Sequence, residues 1–290
     1  QRRNQKVMEE TPAPNLDDET RQALQQTAIQ LAESVNYRSA GTVEFILDQS
    51  MQQFYFLEVN TRLQVEHGVT EMIFGVDIVK LMVEIGAGEY HASWVEAKAA
   101  KPHGHAIQFR LYAEDPNRQF QPSTGLITTL AFPEGIDANR VITQENGSTV
   151  RIDTWVEAGV EVSPFFDPMI AKVMVHGGDR QSALEDIAEL LNSTHLYGIE
   201  TNLAYLAQLA VEPMVKQGTV LTSSLAGFNY QPSTVDVLAS GTQTTVQDYP
   251  ARSGYWHVGI PPSGPMDSLS FRLGNQLLEN AETGAGLEII

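Results

Sequence analysis

The sequence predicts an α+β fold laid out in three successive segments. Its 290 residues exceed one average domain of about 150 residues. The first hundred residues mix helix-period and strand-period runs. Beyond Gly104 the texture changes to short alternating runs cut by Pro, Gly and Asn, and it changes again at Gln231-Pro232-Ser233. The segments expected are residues 1–95, 103–229 and 234–290.

Within the first segment, Thr11-Pro12-Ala13-Pro14-Asn15-Leu16 reads as an extended lead-in, because each residue before Pro is pushed out of the helical region. A helix is expected next, capped by Asn15 or Asp17, with Leu24, Ala28, Leu31 and Val35 on one face. Two strands follow, from Gly41 to Asp48 and from Gln53 to about Glu66, joined by a turn at Gln49-Ser50-Met51-Gln52. A mostly apolar helix from about Val76 to Ile85 ends at Gly86 and Gly88.

A linker spans Glu96 to Gly104. The second segment should hold strands at His105–Tyr112, Leu126–Phe132, Val150–Val156 and Met169–Val175, and helices at Arg180–Asn192 and Thr201–Glu212. The third opens with Val235-Asp236-Val237-Leu238. It continues through Thr244–Pro250 and the Gly/Pro-rich Gly259–Pro265, and it ends in a strand-like run, Gly286–Ile290.

Composition narrows the function. With 42% hydrophobic and 19% charged residues the chain is globular. Acidic residues outnumber basic ones 36 to 18, a net charge of −18, which disfavours nucleic acid and anionic membrane surfaces as partners. No stretch approaches the ~20 apolar residues of a membrane span. The absence of cysteine excludes disulfides, thiolate metal sites and cysteine nucleophiles within this sequence, and fits a reducing cytoplasm. The opening Gln1-Arg2-Arg3-Asn4-Gln5-Lys6 has neither an initiator Met nor an apolar signal core, so the chain reads as an internal piece of something longer.

The chemistry concentrates in Glu58-Val59-Asn60-Thr61-Arg62-Leu63-Gln64-Val65-Glu66. In a continuous strand, alternate side chains share a face, which would put Glu58, Asn60, Arg62, Gln64 and Glu66 in one row. Folding the preceding strand back about Met51 brings Glu44 opposite Glu58, about 4.5–5.5 Å away between Cβ atoms. Two carboxylates at that range call for a cation. With the Asn60 oxygen they form a hard donor set suited to Mg²⁺ or Mn²⁺ bound together with phosphates. Next in the row, the Arg62 guanidinium matches a small planar oxyanion, Gln64 adds an amide, and Glu66 is placed to take a proton. A solvated polar strand face is the competing reading. Taken singly, Lys6 reads as part of a solvated basic run, Arg110 as a surface arginine sharing its face with Gln108, and His67 as structural.

Several blocks carry a family resemblance: Gln1–Pro14, Gly41-Thr42-Val43-Glu44-Phe45, Phe56–His67, Thr70–Asp77, Phe109–Pro116 and Tyr197–Asn202. Over about residues 1–229 the sequence resembles the biotin carboxylase family. The resemblance implies the C-terminal half of an ATP-grasp domain followed by a biotin carboxylase C-terminal domain. Thr244–Pro250, Gly259–Asp267 and Arg272-Leu273-Gly274-Asn275 resemble the opening of the β-rich carboxyltransferase domain of urea carboxylases, some of which are fused to an allophanate hydrolase.

By resemblance, Glu44, Glu58 and Asn60 contact the metals on ATP, and Glu58 also the nucleotide. Arg62, Gln64 and the Val65 backbone hold bicarbonate, and Glu66 is the general base. Lys6 lies near the phosphates and bicarbonate, Gln1 and Asn4 lie near the nucleotide, and Arg110 stabilises the biotin enolate. The implied cofactors are ATP, Mg²⁺ or Mn²⁺, and biotin carried covalently on a domain outside this chain. The implied reaction activates bicarbonate with ATP and carboxylates biotin, for transfer to urea or guanidine at a downstream carboxyltransferase. The implied partners include the biotinyl carrier domain, and an oligomer is compatible with the family. Asn4 stands where many members have His. The lysines and glycine-rich lid that precede this region in the family do not occur here, so this stretch alone is expected not to turn over ATP. An acyl-CoA carboxylase is the alternative within the class, and a decayed nucleotide-binding relic the alternative outside it. The intact Glu44, Glu58, Asn60, Arg62 and Glu66 argue against the relic.

Overall fold

The computed structural model describes every residue except 3–4, 90–96, 98–99, 234–237, 240 and 290. The chain forms two compact units, Gln1–Pro232 and Ser233–Ile290. Asn4, part of the linker and most of the Val235–Leu238 run lie outside the described residues.

In the first unit, β1 (Met8–Thr11) precedes α1 (Asp18–Ser34). Asp17, not Asn15, caps α1, its side chain accepting from the Thr20 N–H; Asn15 lies upstream in the left-handed region at φ 56°. Leu24, Ala28 and Leu31 are half-buried, but Val35 falls at the C-cap and is exposed. The hairpin β2 (Thr42–Asp48) and β3 (Gln53–Asn60) comes next, then α2 (His67–Phe74) and α3 (Ile78–Ala87). Asp77 caps α3 at its start and Gly88, at φ 74°, closes it.

The framework is a five-stranded antiparallel sheet in the order β1, β4 (His105–Tyr112), β7 (Met169–Gly177), β6 (Thr149–Thr154), β5 (Val141–Thr143). The sequence reading misses β1 and β5, each four residues or fewer, and extends one strand over Leu126–Phe132. There the chain makes only the short ladders Gly125–Leu126 and Thr129–Ala131. One sheet face carries Phe109, Leu111, Ile152, Val173 and Val175, all within 1% of full burial, against α4 (Arg180–Asn192) and α5 (Leu203–Ala210). The helix expected over Thr201–Glu212 is therefore shorter at both ends. Alternation puts Gln108, Arg110, Lys172 and Met174 on the other face, where α2 packs.

Glu10 on β1 ties this sheet to the helical layer. It accepts from His105 at 2.8 Å and from Arg180 at 2.7 and 3.1 Å, while Arg180 also donates to the Val215 and Lys216 carbonyls. Burial pushes the Glu10 carboxyl up, but the bonds from His105 and Arg180 outweigh it and hold the group below its ordinary 4.5. A lowered carboxylate stabilises the fold above its unfolded pKa and loses that contribution as pH falls through the folded one. Glu10→Gln should therefore cost about 1–3 kcal/mol near pH 7. Denaturant melts should show the gap to the parent narrowing below pH 4.5; a gap independent of pH would refute this linkage.

In the second unit, β8 (Thr244–Gln247) pairs with β9 (Gly286–Ile289), and α6 (Ser268–Leu277) lies between them in sequence, capped by Asp267. Among the described residues no helix is long and apolar enough to cross a membrane.

Candidate active site

β2 and β3 oppose Glu44 to Glu58, as the sequence suggested, but by a different geometry. The hairpin starts with Asp48 across from Gln53 and reaches Phe45 across from Phe56. A β-bulge at Leu57 then shifts the register by one, so that Glu58 meets Glu44 and Asn60 meets Thr42. On the regular side of the bulge Phe54 and Phe56 lie edge-on against Phe45, and beyond it Glu58 stands across from Glu44. Asn60 joins the acids, its amide donating to Glu44 at 3.0 Å and to Glu58 at 2.9 Å.

The strand does not continue to Glu66; β3 ends at Asn60. The reason is pairing. β2 begins at Thr42, so among the described residues no strand lies opposite residues 61–66. The chain bends instead into a turn closed by His67 N–H to the Gln64 carbonyl, and Glu66 becomes the N-cap of α2, a helix the sequence reading lacks. The five polar residues are thus not one row on one strand, yet most converge by this other route. Gln64, buried, donates to Glu44 at 2.8 Å. Arg62 is exposed and among the described residues bonds only the Leu63 carbonyl at 3.2 Å, though its charge acts on Glu44.

Two residues that looked solvated complete the site. Lys6 Nζ lies 3.0 Å from Glu44 and 2.5 Å from Glu66. Arg110 is 11% exposed; it bonds Glu66 at 2.9 Å and is ion-paired with Glu9, so it is no surface arginine. Gln108, fully buried, donates to Glu9 at 3.0 Å. Burial disfavours ionised Glu44, but bonds from Gln64 and Lys6, with the charges of Lys6 and Arg62, hold its carboxyl below the usual range. Burial lowers Lys6, and its bonds to Glu66 and Glu44 more than offset this, so the ammonium is held above its ordinary value. Burial pushes the Glu9 carboxyl up, against the pull of Arg110.

Glu9, paired with Arg110, is a residue of this cluster that the sequence reading did not find. Glu9 was findable only through the register of β1 against β4, in which it faces Gln108. Gln1 stands apart from the Glu44 cluster, lining an apolar cavity of about 330 Å³ with Met8, Leu16, Leu47, Leu209 and Leu225.

A divalent ion fits this donor set under one condition. Among the described residues no three His, Cys, Asp or Glu side chains gather as a metal cage. Glu44 and Glu58 with the Asn60 amide offer two carboxylates and one amide, all hard donors, which is the share a protein supplies when phosphates and water complete a Mg²⁺ shell. A second observation concerns Gln64. Its Nε2 is spent on Glu44, while its Oε1 is one of only two described buried side-chain atoms without a hydrogen-bond partner. A buried acceptor left unmet costs about 1–3 kcal/mol, and a ligand carrying an O–H would satisfy it.

Family models match three successive stretches of the chain. The description "carbamoyl-phosphate synthase L chain, ATP binding domain" matches residues 1–92, "biotin carboxylase C-terminal domain" residues 108–227, and "carboxyltransferase domain, subdomain A and B" residues 258–290. Biotin carboxylase 2 of Bacillus subtilis is 45% identical over 225 residues, covering 78% of this chain and 47% of that protein. The chain belongs to the biotin-dependent carboxylases. Within them its likeness runs end to end with one group. It is 43% identical to the urea amidolyase of Saccharomyces cerevisiae over 289 residues, covering 100% of this chain and 15% of the relative. The crystal structure of the Kluyveromyces lactis urea carboxylase superposes with a TM-score of 0.87 at 46% identity, covering 100% of this chain and 24% of that one. The chain thus spans less than a quarter of these two relatives' length.

Proposed function

We propose that this chain contributes the bicarbonate-activating half of a biotin carboxylase site within a urea carboxylase, dividing at residues 1–95, 103–229 and 234–290. The observation that carries the reading is the junction at Glu66, whose two oxygens are held by Lys6 and Arg110 beside the Glu44–Asn60–Glu58 cluster.

Bicarbonate suits these residues because it is both an anion and an O–H donor. Its oxygens would take over Lys6 and recruit the exposed Arg62, while its hydroxyl could meet Gln64 Oε1. Losing Lys6 to the substrate frees one oxygen of Glu66 to accept the substrate's proton. Arg110, already gripped by Glu9, stays in place to neutralise negative charge developing on the biotin ureido oxygen. Glu44, Glu58 and Asn60 would hold Mg²⁺ or Mn²⁺, and ATP bound through that ion supplies the phosphoryl group. Gln1 and Asn4 are assigned to the nucleotide, and Val65 contributes its backbone N–H to the bicarbonate. The biotinyl carrier and the carboxyltransferase active on urea belong to the longer protein, placed in the cytoplasm; an oligomer is compatible with this reading.

The test is ATP cleavage by the full-length protein with bicarbonate, and with urea or guanidine added. Cleavage that requires bicarbonate and rises with urea is expected. Preference for guanidine would reassign the acceptor, and cleavage indifferent to bicarbonate would overturn the reading.

A further inference from the structure

The peptide groups flanking Val65 are each held by a side chain to which no role has been given. The Gln64 carbonyl accepts from the His67 ring, Nδ1 to oxygen 2.7 Å, and from the His67 backbone N–H at 3.3 Å. A carbonyl only accepts, so Nδ1 carries the hydrogen. The other ring nitrogen is 3.9 Å from Glu71, too long for a hydrogen bond. The Val65 carbonyl in turn faces Lys172 Nζ at 3.5 Å, at the outer edge of hydrogen bonding. A carbonyl and the next N–H share one rigid plane and point opposite ways. Fixing the Gln64 oxygen therefore aims the Val65 N–H, and fixing the Val65 oxygen aims the Glu66 N–H.

Lys172 is itself immobilised. It pairs with Asp153 at 2.9 Å; Arg151 grips the same carboxylate at 2.7 and 2.9 Å and reaches Glu71 on α2 at 2.6 Å. Lys172 also stands directly across from Arg110 in the sheet, a like-charge pairing that costs stability unless each cation has its own anion. Here Asp153 serves one cation, and Glu9 with Glu66 serves the other.

We propose that His67 is a positioning residue for bicarbonate, orienting the Gln64–Val65 peptide so that the Val65 N–H faces the anion, with Lys172 doing the same for the next peptide. The inference rests on the bicarbonate reading above. His67 does not touch the anion; it removes the freedom of the group that does.

Two variants of the full-length protein separate this from simple packing. His67→Leu keeps volume and loses the donor, whereas His67→Asn keeps an N–H on a short side chain. His67→Leu should raise the KM for bicarbonate in ATP cleavage roughly tenfold, the equivalent of one hydrogen bond. The dissociation constant for MgADP should stay within about twofold, and His67→Asn should recover most of the loss. Equal KM values for the two variants, or a MgADP constant moving in step with the KM, would overturn the proposal. If His67→Leu does not fold, His67→Phe, which keeps a ring and loses the donor, carries the same comparison against His67→Asn. Arg62→Met, measured alongside, separates the two levels. If it raises the bicarbonate KM and His67→Leu does not, the positioning role fails alone; if neither raises it, the bicarbonate site itself is misassigned.

Discussion

Glu66→Gln is expected to reduce bicarbonate-dependent ATP cleavage by the full-length protein by about 10²–10⁴-fold, the usual span for a lost general base, while MgADP binding persists. The substitution is nearly isosteric. Its amide oxygen can still accept from Lys6 or Arg110, which hold the native carboxylate at 2.5 and 2.9 Å, so the turn should keep its shape. What disappears is the capacity to take a proton and one negative charge. That charge is also felt by Glu9, whose carboxyl burial pushes up first and Glu66 raises further. The variant should therefore leave Glu9 easier to ionise, with Glu9 as the remaining charged partner of Arg110. Cleavage within tenfold of the parent would remove Glu66 from the chemistry, whatever becomes of the other assignments.

Gly68→Ala should be nearly as damaging to activity, for a different reason. Gly68 is buried in the first turn of α2, and a Cβ there would lie 2.3 Å from Met174 Sδ, with Met174 Cε at 3.4 Å and Gln108 Oε1 at 3.7 Å behind it. Met174 is itself fully buried, so the sulfur cannot step aside freely. Helix propensity favours Ala over Gly by about 1 kcal/mol, and forcing a methyl into a filled core costs about 1–3 kcal/mol. The two nearly cancel, and the net loss of stability should stay under about 2 kcal/mol. Activity has no such compensation. Relief of the overlap lifts the N-terminus of α2 from the sheet, and Glu66 sits at the N-cap position of that terminus. A displacement near 1 Å at a reacting group can cost about 10²-fold. Adding Met174→Ala should restore much of the activity, a coupling that a double-mutant cycle reads directly. Gly68→Ala with full activity would show that the close packing of α2 does not set the position of Glu66.

How much of this could be read from the sequence depends on how far apart the determinants lie along the chain. The Glu44–Glu58 pairing was legible because both strands are local and their alternation is regular, although the bulge at Leu57 was not. The break at Asn60 was invisible for a related reason: the polar-apolar rhythm runs on to Glu66, and only the missing partner strand stops it. Arg110 and Lys6 looked like surface cations because their anions, Glu9, Glu44 and Glu66, sit 38 to 101 positions away. His67 looked structural, and its ring does bond backbone; what the sequence could not say is which peptide that bond steers.

The pairing of Met8–Thr11 with β4 has a consequence for inheritance. A strand encoded near the start of the chain supplies the border of a sheet encoded a hundred residues later, together with the acid that grips Arg110. Cutting the chain in the linker near residue 100 would strip that border away, leaving a bare row of backbone donors and acceptors, the kind of margin that recruits neighbouring chains. Chimaeras between carboxylases should therefore tolerate exchange of Gln1–Pro232 as one block and fail when the crossover falls between its two halves.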